Sequence, residues 1–192
     1  MNASSPLARP SHWVLALMVL IAGLSRLLPH AWNFTPVEAM ALFGGAYFAQ
    51  RWLAVVVPLF GVLLSDIAMG IASGGVYSSY FFSASFFAVY LTIALSAVLG
   101  FTLRGKVGVL RVASAGVAGS LLFFLITNFA VWATATDVVA YPACTTGLVE
   151  CYVAGIPFIR GTLLGTAVWS LILFGSYELL RRRYPQLGAQ PA

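Results

Sequence analysis

The chain has 192 residues, of which 61% are hydrophobic and only 8% are charged. A soluble domain of this length exposes too much surface to bury that many apolar side chains, so the composition excludes an ordinary soluble protein. The formal net charge is +5. The basic residues stand at the ends of apolar segments and are not interleaved with aromatic residues on one face, which argues against nucleic acid as a partner. We therefore expect the lipid bilayer to surround the chain.

Six apolar segments follow one another along the chain and predict an all-α integral membrane protein, a bundle of six transmembrane helices. They cover residues 13–28, 37–49, 53–71, 80–103, 107–133 and 156–180. Because a hydrocarbon core of about 30 Å needs about 20 residues per helix, residues 1–192 have room for a single transmembrane domain and no soluble domain. The second segment is short but rich in alanine and glycine, so we expect a buried helix there.

The basic residues also predict the orientation, with both termini in the cytoplasm. Eight of the ten Lys and Arg residues then lie on the inner side, as the positive-inside rule requires: Arg9, Arg51, Arg104, Lys106, Arg111, Arg181, Arg182 and Arg183. Residues 1–11 form a short cytoplasmic segment, and the polar tail, residues 184–192, is predicted to be disordered. The first apolar segment also resembles a cleavable signal peptide, but its continuation across Arg26 favours a retained helix.

Polar residues inside a membrane bundle are costly, so their positions indicate function. Charged and amide side chains converge on the predicted outer third of the bundle. The glycine-bearing segment between helices three and four adds tyrosines there, as a lid or as a plain connector. We predict an outward-opening ligand pocket formed by Arg26, His30, Asn33, Glu38, Asp66, Tyr77, Tyr80, Asn128, Trp132 and Arg160. The alternative is that pairs such as Arg26–Asp66 and Arg160–Glu38 only fasten helix ends.

Enzyme and metal signatures are missing from the sequence. It contains no His-Glu-x-x-His, no Gly-x-Ser-x-Gly and no phosphate-binding loop, so we predict no catalytic residue, no metal and no cofactor. A membrane enzyme with Asp66 or Glu38 as its acid–base group is the weaker alternative. The two cysteines, Cys144 and Cys151, leave open a disulfide, two unpaired thiols or a metal site, although no nearby histidine pair supports a metal.

Several motifs between Arg26 and Gly165 resemble a family of small bacterial membrane proteins. The clearest are Arg26-Leu-Leu-Pro-His30, Asn33-Phe-Thr-Pro-Val-Glu38, Leu63-Leu-Ser-Asp66, Asn128-Phe-Ala-Val-Trp132 and Ile156-Pro-Phe-Ile-Arg160. That family is similar to the substrate-binding (S) components of energy-coupling-factor (ECF) vitamin transporters, and its best-defined branch comprises BtuM-like cobalamin transporters. The resemblance implies a location in the bacterial cytoplasmic membrane, a vitamin pocket lined by His30, Asp66 and Arg160, and an energising ATPase or transmembrane module as a possible partner.

The resemblance has one gap. Some members of the cobalamin branch offer a cysteine to the cobalt from the region between helices three and four, whereas residues 70–85 of this chain contain none. The resulting hypothesis is a substrate-binding membrane subunit that takes up a vitamin-like small molecule, with cobalamin as the first candidate. A structural or assembly subunit of a membrane complex is the alternative.

Overall fold

The protein is seen here in a computed structural model that describes residues 10–74, 76–135 and 141–187. Every regular element in these residues is helical. The α-helices are α1 (Pro10–Leu24), α2 (Val37–Tyr47), α3 (Arg51–Ala72), α4 (Ala84–Gly100), α5 (Val109–Thr134), α6 (Pro142–Thr146) and α7 (Leu148–Arg183). Short 3-10 turns occupy Ser25–Leu27, Val76–Tyr80, Phe101–Leu103 and Pro185–Leu187.

The helices are those of a membrane protein. Four of those in the described ranges are long and apolar enough to cross a bilayer: α3, α4 with the turn that follows it, α5 and α7. The stretch His12–Leu27 is apolar but shorter, and α2 has only 11 residues. Each of the six predicted apolar segments coincides with a helix, because long apolar stretches without breakers satisfy their backbone groups most simply in that way.

The short helix α2 forms the centre of the bundle. All of its residues are buried, and it packs against α1, α3, α4 and α7. Glycines make the closest approach possible: a Cβ atom added at Gly100 of α4 would lie 2.5 Å from the carbonyl oxygen of Leu42, and one added at Gly45 would lie 2.8 Å from the Cα of Gly100. The prediction of a buried second helix is therefore confirmed.

Helix α1 belongs to this packed core. It lies along α3, where a Cβ at Gly23 would come within 2.9 Å of the carbonyl oxygen of Gly61. Its residues Leu15 and Val19 are fully buried. These contacts make α1 part of the bundle.

Two segments differ from the sequence prediction. The predicted loop before the last helix contains α6, and α7 begins at Leu148, eight residues earlier than expected, with Pro157 inside it. The tail was predicted to be disordered from residue 184, which is wrong for its first residues. Pro185–Leu187 forms a turn, Leu187 is buried, and its carbonyl oxygen accepts a hydrogen bond of 3.1 Å from the hydroxyl of Tyr177. Residues 1–9 and 188–192 lie outside the described part.

The bundle has two chemically distinct ends, which cross-helix contacts define. At one end Arg26, in the 3-10 turn that follows α1, meets Asp66 near the end of α3. At the other end Tyr47, which closes α2, meets Glu178 near the end of α7. We call the first the carboxylate end, defined by Arg26, Glu38 and Asp66. The second is the arginine end, which carries Arg51, Arg104, Arg181, Arg182 and Arg183.

Candidate functional site

A buried ion pair lies at the centre of the carboxylate end. The Nη1 atom of Arg26 is 2.7 Å from Oδ1 of Asp66, and the side chains are 11% and 0% exposed. The same nitrogen donates to Oγ of Ser65 at 2.5 Å and to the carbonyl oxygen of Val62 at 3.4 Å. The close packing of α1 on α3 through Gly23 places Arg26 at this depth, directly beside α3.

Two tyrosines complete the shell around the carboxylate. The hydroxyl of Tyr90, on α4, donates to Oδ2 of Asp66 at 3.0 Å, and that of Tyr77 donates to Oδ1 at 3.4 Å. Burial, together with the charge of Asp66, raises the pKa of Tyr77 to about 12. The Tyr77 hydroxyl therefore keeps its proton at physiological pH and acts as a donor. Donors from three separate elements thus hold one carboxylate away from water.

An aromatic cover lies over this network. It consists of Tyr77, Tyr80, Phe81 and Phe86, whose rings contact one another with centroids 5.0 Å apart for Tyr77–Tyr80 and 5.6 Å apart for Tyr80–Phe86. Phe86 also stacks on Tyr90 at 4.2 Å. Ring-to-ring contacts of this kind are individually weak and adjustable.

The segment that carries the cover is held mostly by its own local bonds. The backbone N–H of Tyr77 donates to Oγ of Ser73, and that of Phe86 donates to Oγ of Ser83. Gly74, with φ of +61°, supplies the left-handed turn between α3 and the cover. Movement of this segment away from the bundle would break the bond from Tyr77 to Asp66.

Arg26 interacts electrostatically with two carboxyl groups but forms an ion pair with only one. Glu38, in the first turn of α2, is 2% exposed and within electrostatic range of Arg26. Among the described residues it forms no ion pair within 4.0 Å. The hydrogen bonds from the Arg26 side chain to Val62, Ser65 and Asp66 come from Nη1. The guanidinium carries five N–H donors in all, and it also interacts with the Tyr77 hydroxyl.

Two predicted site residues lie in the connector between α1 and α2. His30 and Asn33 are exposed, and Asn33 adopts a φ of +56°, which asparagine tolerates better than most residues. The connector packs on α7, where a Cβ at Gly165 would be 2.8 Å from the backbone nitrogen of Thr35. The pair Gly161 and Gly165 thus accommodates this connector on the surface of α7.

The remaining predicted residues lie on α5 and α7. Arg160 is exposed and has no acidic partner within 4.0 Å in the described ranges, so the expected pair with Glu38 is not formed there. Asn128 donates from Nδ2 to the carbonyl oxygen of Phe124 at 2.8 Å. The Trp132 ring lies 5.5 Å from that of Phe129.

The predicted set therefore divides into two groups. Arg26, Asp66 and Tyr77 are directly bonded, with Tyr80 in the aromatic cover and Glu38 within electrostatic range of Arg26. No contact given by the described residues connects the second group to Asp66; it comprises His30, Asn33, Asn128, Trp132 and Arg160.

Two members of the network were missed from the sequence, Ser65 and Tyr90. Ser65 directly precedes Asp66 and is equally buried. It is therefore part of the same sequence motif that singled out Asp66. Tyr90 stands in an otherwise apolar run, and a tyrosine in such a run needs a partner for its hydroxyl. That requirement is a usable signal, but it does not identify the partner.

The two cysteines are bonded to each other. The Cys144–Cys151 disulfide joins α6 to the first turn of α7, which decides among the alternatives that the sequence left open. Within the described residues, no group of three or more His, Cys, Asp or Glu side chains is arranged to hold a metal ion.

These features define a helical membrane protein with a buried, hydrogen-bonded charge network at one end. The chain matches, over residues 7–187, a family described as a family of unknown function (DUF6580), and it belongs to that family. No curated protein and no solved structure matches it significantly.

Proposed function

We propose that this protein is a substrate-binding subunit of the bacterial cytoplasmic membrane, with six membrane spans and both termini in the cytoplasm. It binds a vitamin-like small molecule at the carboxylate end, which then faces outward, and takes part in its uptake. The distribution of Lys and Arg supports the orientation. The resemblance to vitamin-transporter S components supports the class of function.

The observation that carries the proposal is the Asp66 network beneath the aromatic cover. A charge pair that only fastened α1 to α3 would need neither two tyrosine donors nor a separate segment above it. Here the donors come from three elements, and one of them, Tyr77, belongs to the segment that carries the cover. Outward movement of that segment removes one bond to Asp66 and exposes Arg26.

The exposed groups define the chemistry of the ligand. Arg26 and the Tyr77 hydroxyl favour carbonyl, amide or phosphate oxygens, and the rings of the cover favour a flat apolar surface. Cobalamin combines amide side chains with a planar ring system and is the first candidate. Both cysteines are used in the disulfide, so in this chain a corrinoid would be held by shape and hydrogen bonds, without a thiolate on cobalt.

The energy for uptake has to come from elsewhere, since the sequence contains no phosphate-binding loop. We propose either an ATPase-bearing membrane module as partner or transport down the gradient of the ligand. Expression with and without candidate energising modules distinguishes the two.

The test is ligand retention followed by uptake. The protein is purified in mild detergent, co-purifying small molecules are identified by mass spectrometry, and the visible absorption spectrum reports any corrinoid. Uptake is then measured by growth of a cobalamin auxotroph that lacks its own transporter. We expect retained corrinoid and rescued growth.

Matched variants connect this result to the site. Tyr77→Phe removes a hydroxyl from the carboxylate end. The control, Tyr152→Phe, removes a hydroxyl that donates to the carbonyl oxygen of Leu125. We expect weaker ligand retention for the first and wild-type retention for the second. The cobalamin proposal is wrong if the wild-type protein retains no corrinoid, even when it is produced in an enriched growth medium, and does not rescue growth.

A purely structural subunit is the second candidate, because Asp66 is fully enclosed by groups of its own chain. It predicts that the double variant Arg26→Leu/Asp66→Leu, which replaces the pair by apolar side chains, keeps full function. Loss of uptake in a double variant that remains folded would reject this candidate.

A further inference from the structure

A second carboxyl group, that of Glu38, is enclosed at the carboxylate end. Glu38 lies in the first turn of α2 and is 2% exposed. It forms no ion pair within 4.0 Å among the described residues, and its carboxyl group is bonded by the backbone N–H of its own residue. Because an ionised side chain is costly inside a membrane bundle, an acid in this position has to be balanced by a cation or by a proton.

The elements packed around α2 bring few charges to Glu38. Helix α2 packs against α1, α3, α4, α5 and α7. The ionisable side chains that these elements and the adjoining connector bring to this end of α2 are Arg26, His30, Asp66, Tyr90 and Arg160. His30 and Arg160 are exposed, and α5 carries its ionisable side chain, Arg111, in its first turn at the arginine end. Arg26 is the group that acts on Glu38 electrostatically, and it is bonded to Asp66 at 2.7 Å.

The charges at this end do not balance if both carboxyl groups are ionised. Arg26 would then supply one positive charge against two negative charges, in a site from which water is largely excluded. Asp66 is the ionised acid, since its oxygens accept bonds from Arg26, Tyr77 and Tyr90. A proton on Glu38 removes the excess charge, and the neutral carboxyl group can still accept the bond from its backbone N–H.

We propose that Glu38 is a proton-binding site, which holds an exchangeable proton while the carboxylate end is enclosed. Three observations together support this assignment: the burial of Glu38, the engagement of its nearest cation by Asp66, and the count of one cation for two carboxyl groups. An alternative is that Glu38 is an ionised residue that only caps α2, where the helix dipole favours a negative charge. The two differ in whether Glu38 carries the proton.

The consequence for uptake rests on the proposed function. Opening of the aromatic cover admits water, which solvates a charged Glu38, so the proton passes from its carboxyl group to water. Closure over a ligand takes a proton back from the outer side. Because the proton gradient across a bacterial cytoplasmic membrane is directed inward, a proton taken up in this way favours inward movement of the ligand.

The test of the proton site needs no ligand. Infrared spectra of the purified full-length protein are recorded at neutral pH in a detergent without carbonyl groups, because a protonated carboxyl group absorbs apart from ionised carboxylates and peptide bonds. We expect a protonated-carboxyl band that moves to lower frequency in D2O and is lost in Glu38→Gln. The control is Glu178→Gln, at the arginine end, where the carboxylate is paired with Arg181 and half exposed. This variant should keep the band.

A second variant tests the charge balance. Asp66→Asn leaves Glu38 as the carboxyl group that Arg26 balances, so Glu38 should ionise and the band should fall severalfold. The proposal is overturned by a wild-type spectrum without the band, by a band that survives Glu38→Gln, or by a folded Asp66→Asn protein with the full band. If Asp66→Asn does not fold, the comparison of wild type with Glu38→Gln decides by itself.

Uptake into proteoliposomes tests the coupling, with cyanocobalamin as the probe. We expect an inward proton gradient to raise the initial rate severalfold for the wild-type protein and to leave the rate of Glu38→Gln unchanged. Transport by the wild-type protein that ignores the gradient would reject the coupling. No transport under either condition would reject uptake by this chain alone, and the coupling with it, whereas the infrared band decides the proton site independently.

Discussion

Among the described residues, each end of the bundle holds one ion pair, and the two pairs differ in their surroundings. Arg26 and Asp66 are 2.7 Å apart with side chains 11% and 0% exposed, whereas Arg181 and Glu178 are 2.9 Å apart with side chains 35% and 39% exposed. The distances are nearly equal. The energetic consequences are not, because water screens the second pair and is excluded from the first.

At the arginine end, an arginine side chain contacts backbone carbonyl groups and an aromatic ring. Arg104 donates to the carbonyl oxygens of Gly45 and Phe48 at 2.9 Å each, and it lies over the ring of Phe101 at 4.3 Å. It therefore satisfies carbonyl groups at the C-terminal end of α2, where a positive charge also suits the helix dipole. At the carboxylate end, Arg26 binds the side chain of Asp66. The same residue type thus holds backbone carbonyl groups at one end and a buried carboxylate at the other.

The largest expected effect comes from breaking the enclosed pair. Arg26→Leu leaves Asp66 buried without a cation, which should cost about 3–5 kcal/mol of unfolding free energy. The measurement is a detergent titration of folded protein with SDS, followed by circular dichroism. The double variant Arg26→Leu/Asp66→Leu should regain most of the loss, and a double variant as unstable as Arg26→Leu would contradict this explanation.

The next effect tests the packing beside the arginine end. Gly45→Ala adds a Cβ that meets the carbonyl oxygen of Ala97 and the Cα of Gly100, both backbone atoms that cannot turn aside. We expect a loss of up to about 3 kcal/mol. Gly175→Ala is the matched control, because a Cβ there would have no neighbour within 4 Å. Similar melting temperatures for the two variants would show that the contact between α2 and α4 is looser than described.

A smaller effect distinguishes the two tyrosines at Asp66. Tyr90→Phe removes a 3.0 Å bond to a charged oxygen and should cost about 1.5 kcal/mol. Tyr77→Phe removes the longer bond of 3.4 Å and should cost less stability while weakening ligand retention more, since Tyr77 belongs to the cover. For both variants, the SDS titration measures stability and the ligand-retention assay measures binding. The reverse order of ligand effects would place the binding surface on α4.

The smallest effect is expected at the exposed pair. Arg181→Leu should change the unfolding free energy by no more than about 1 kcal/mol, and added salt should reduce even that difference. The same titration at low and high ionic strength measures it. A loss as large as that of Arg26→Leu would remove the distinction between the two ends.

Part of the candidate site could be predicted from the sequence because polar residues are rare in an apolar chain. Arg26, Asp66 and Tyr77 stood out for that reason, and the structure joins them. His30, Asn33 and Arg160 stood out equally, yet they are exposed at the surface of the bundle. Depth along a helix follows from counting residues, but the direction in which a side chain points does not.

The sequence by itself determined that each of the six apolar segments is helical, that α2 is buried, and which residues are costly to place in a bilayer, since these depend on local hydrophobicity and residue size. Only the tertiary structure decided that Asp66 faces Arg26 and Tyr90, that Gly165 receives a connector, and that Glu38 lies within electrostatic range of Arg26. The physical reason is rotation about the helix axis. Each residue turns the helix by about 100°, and a helix that is apolar on every side carries no pattern that selects its inward face.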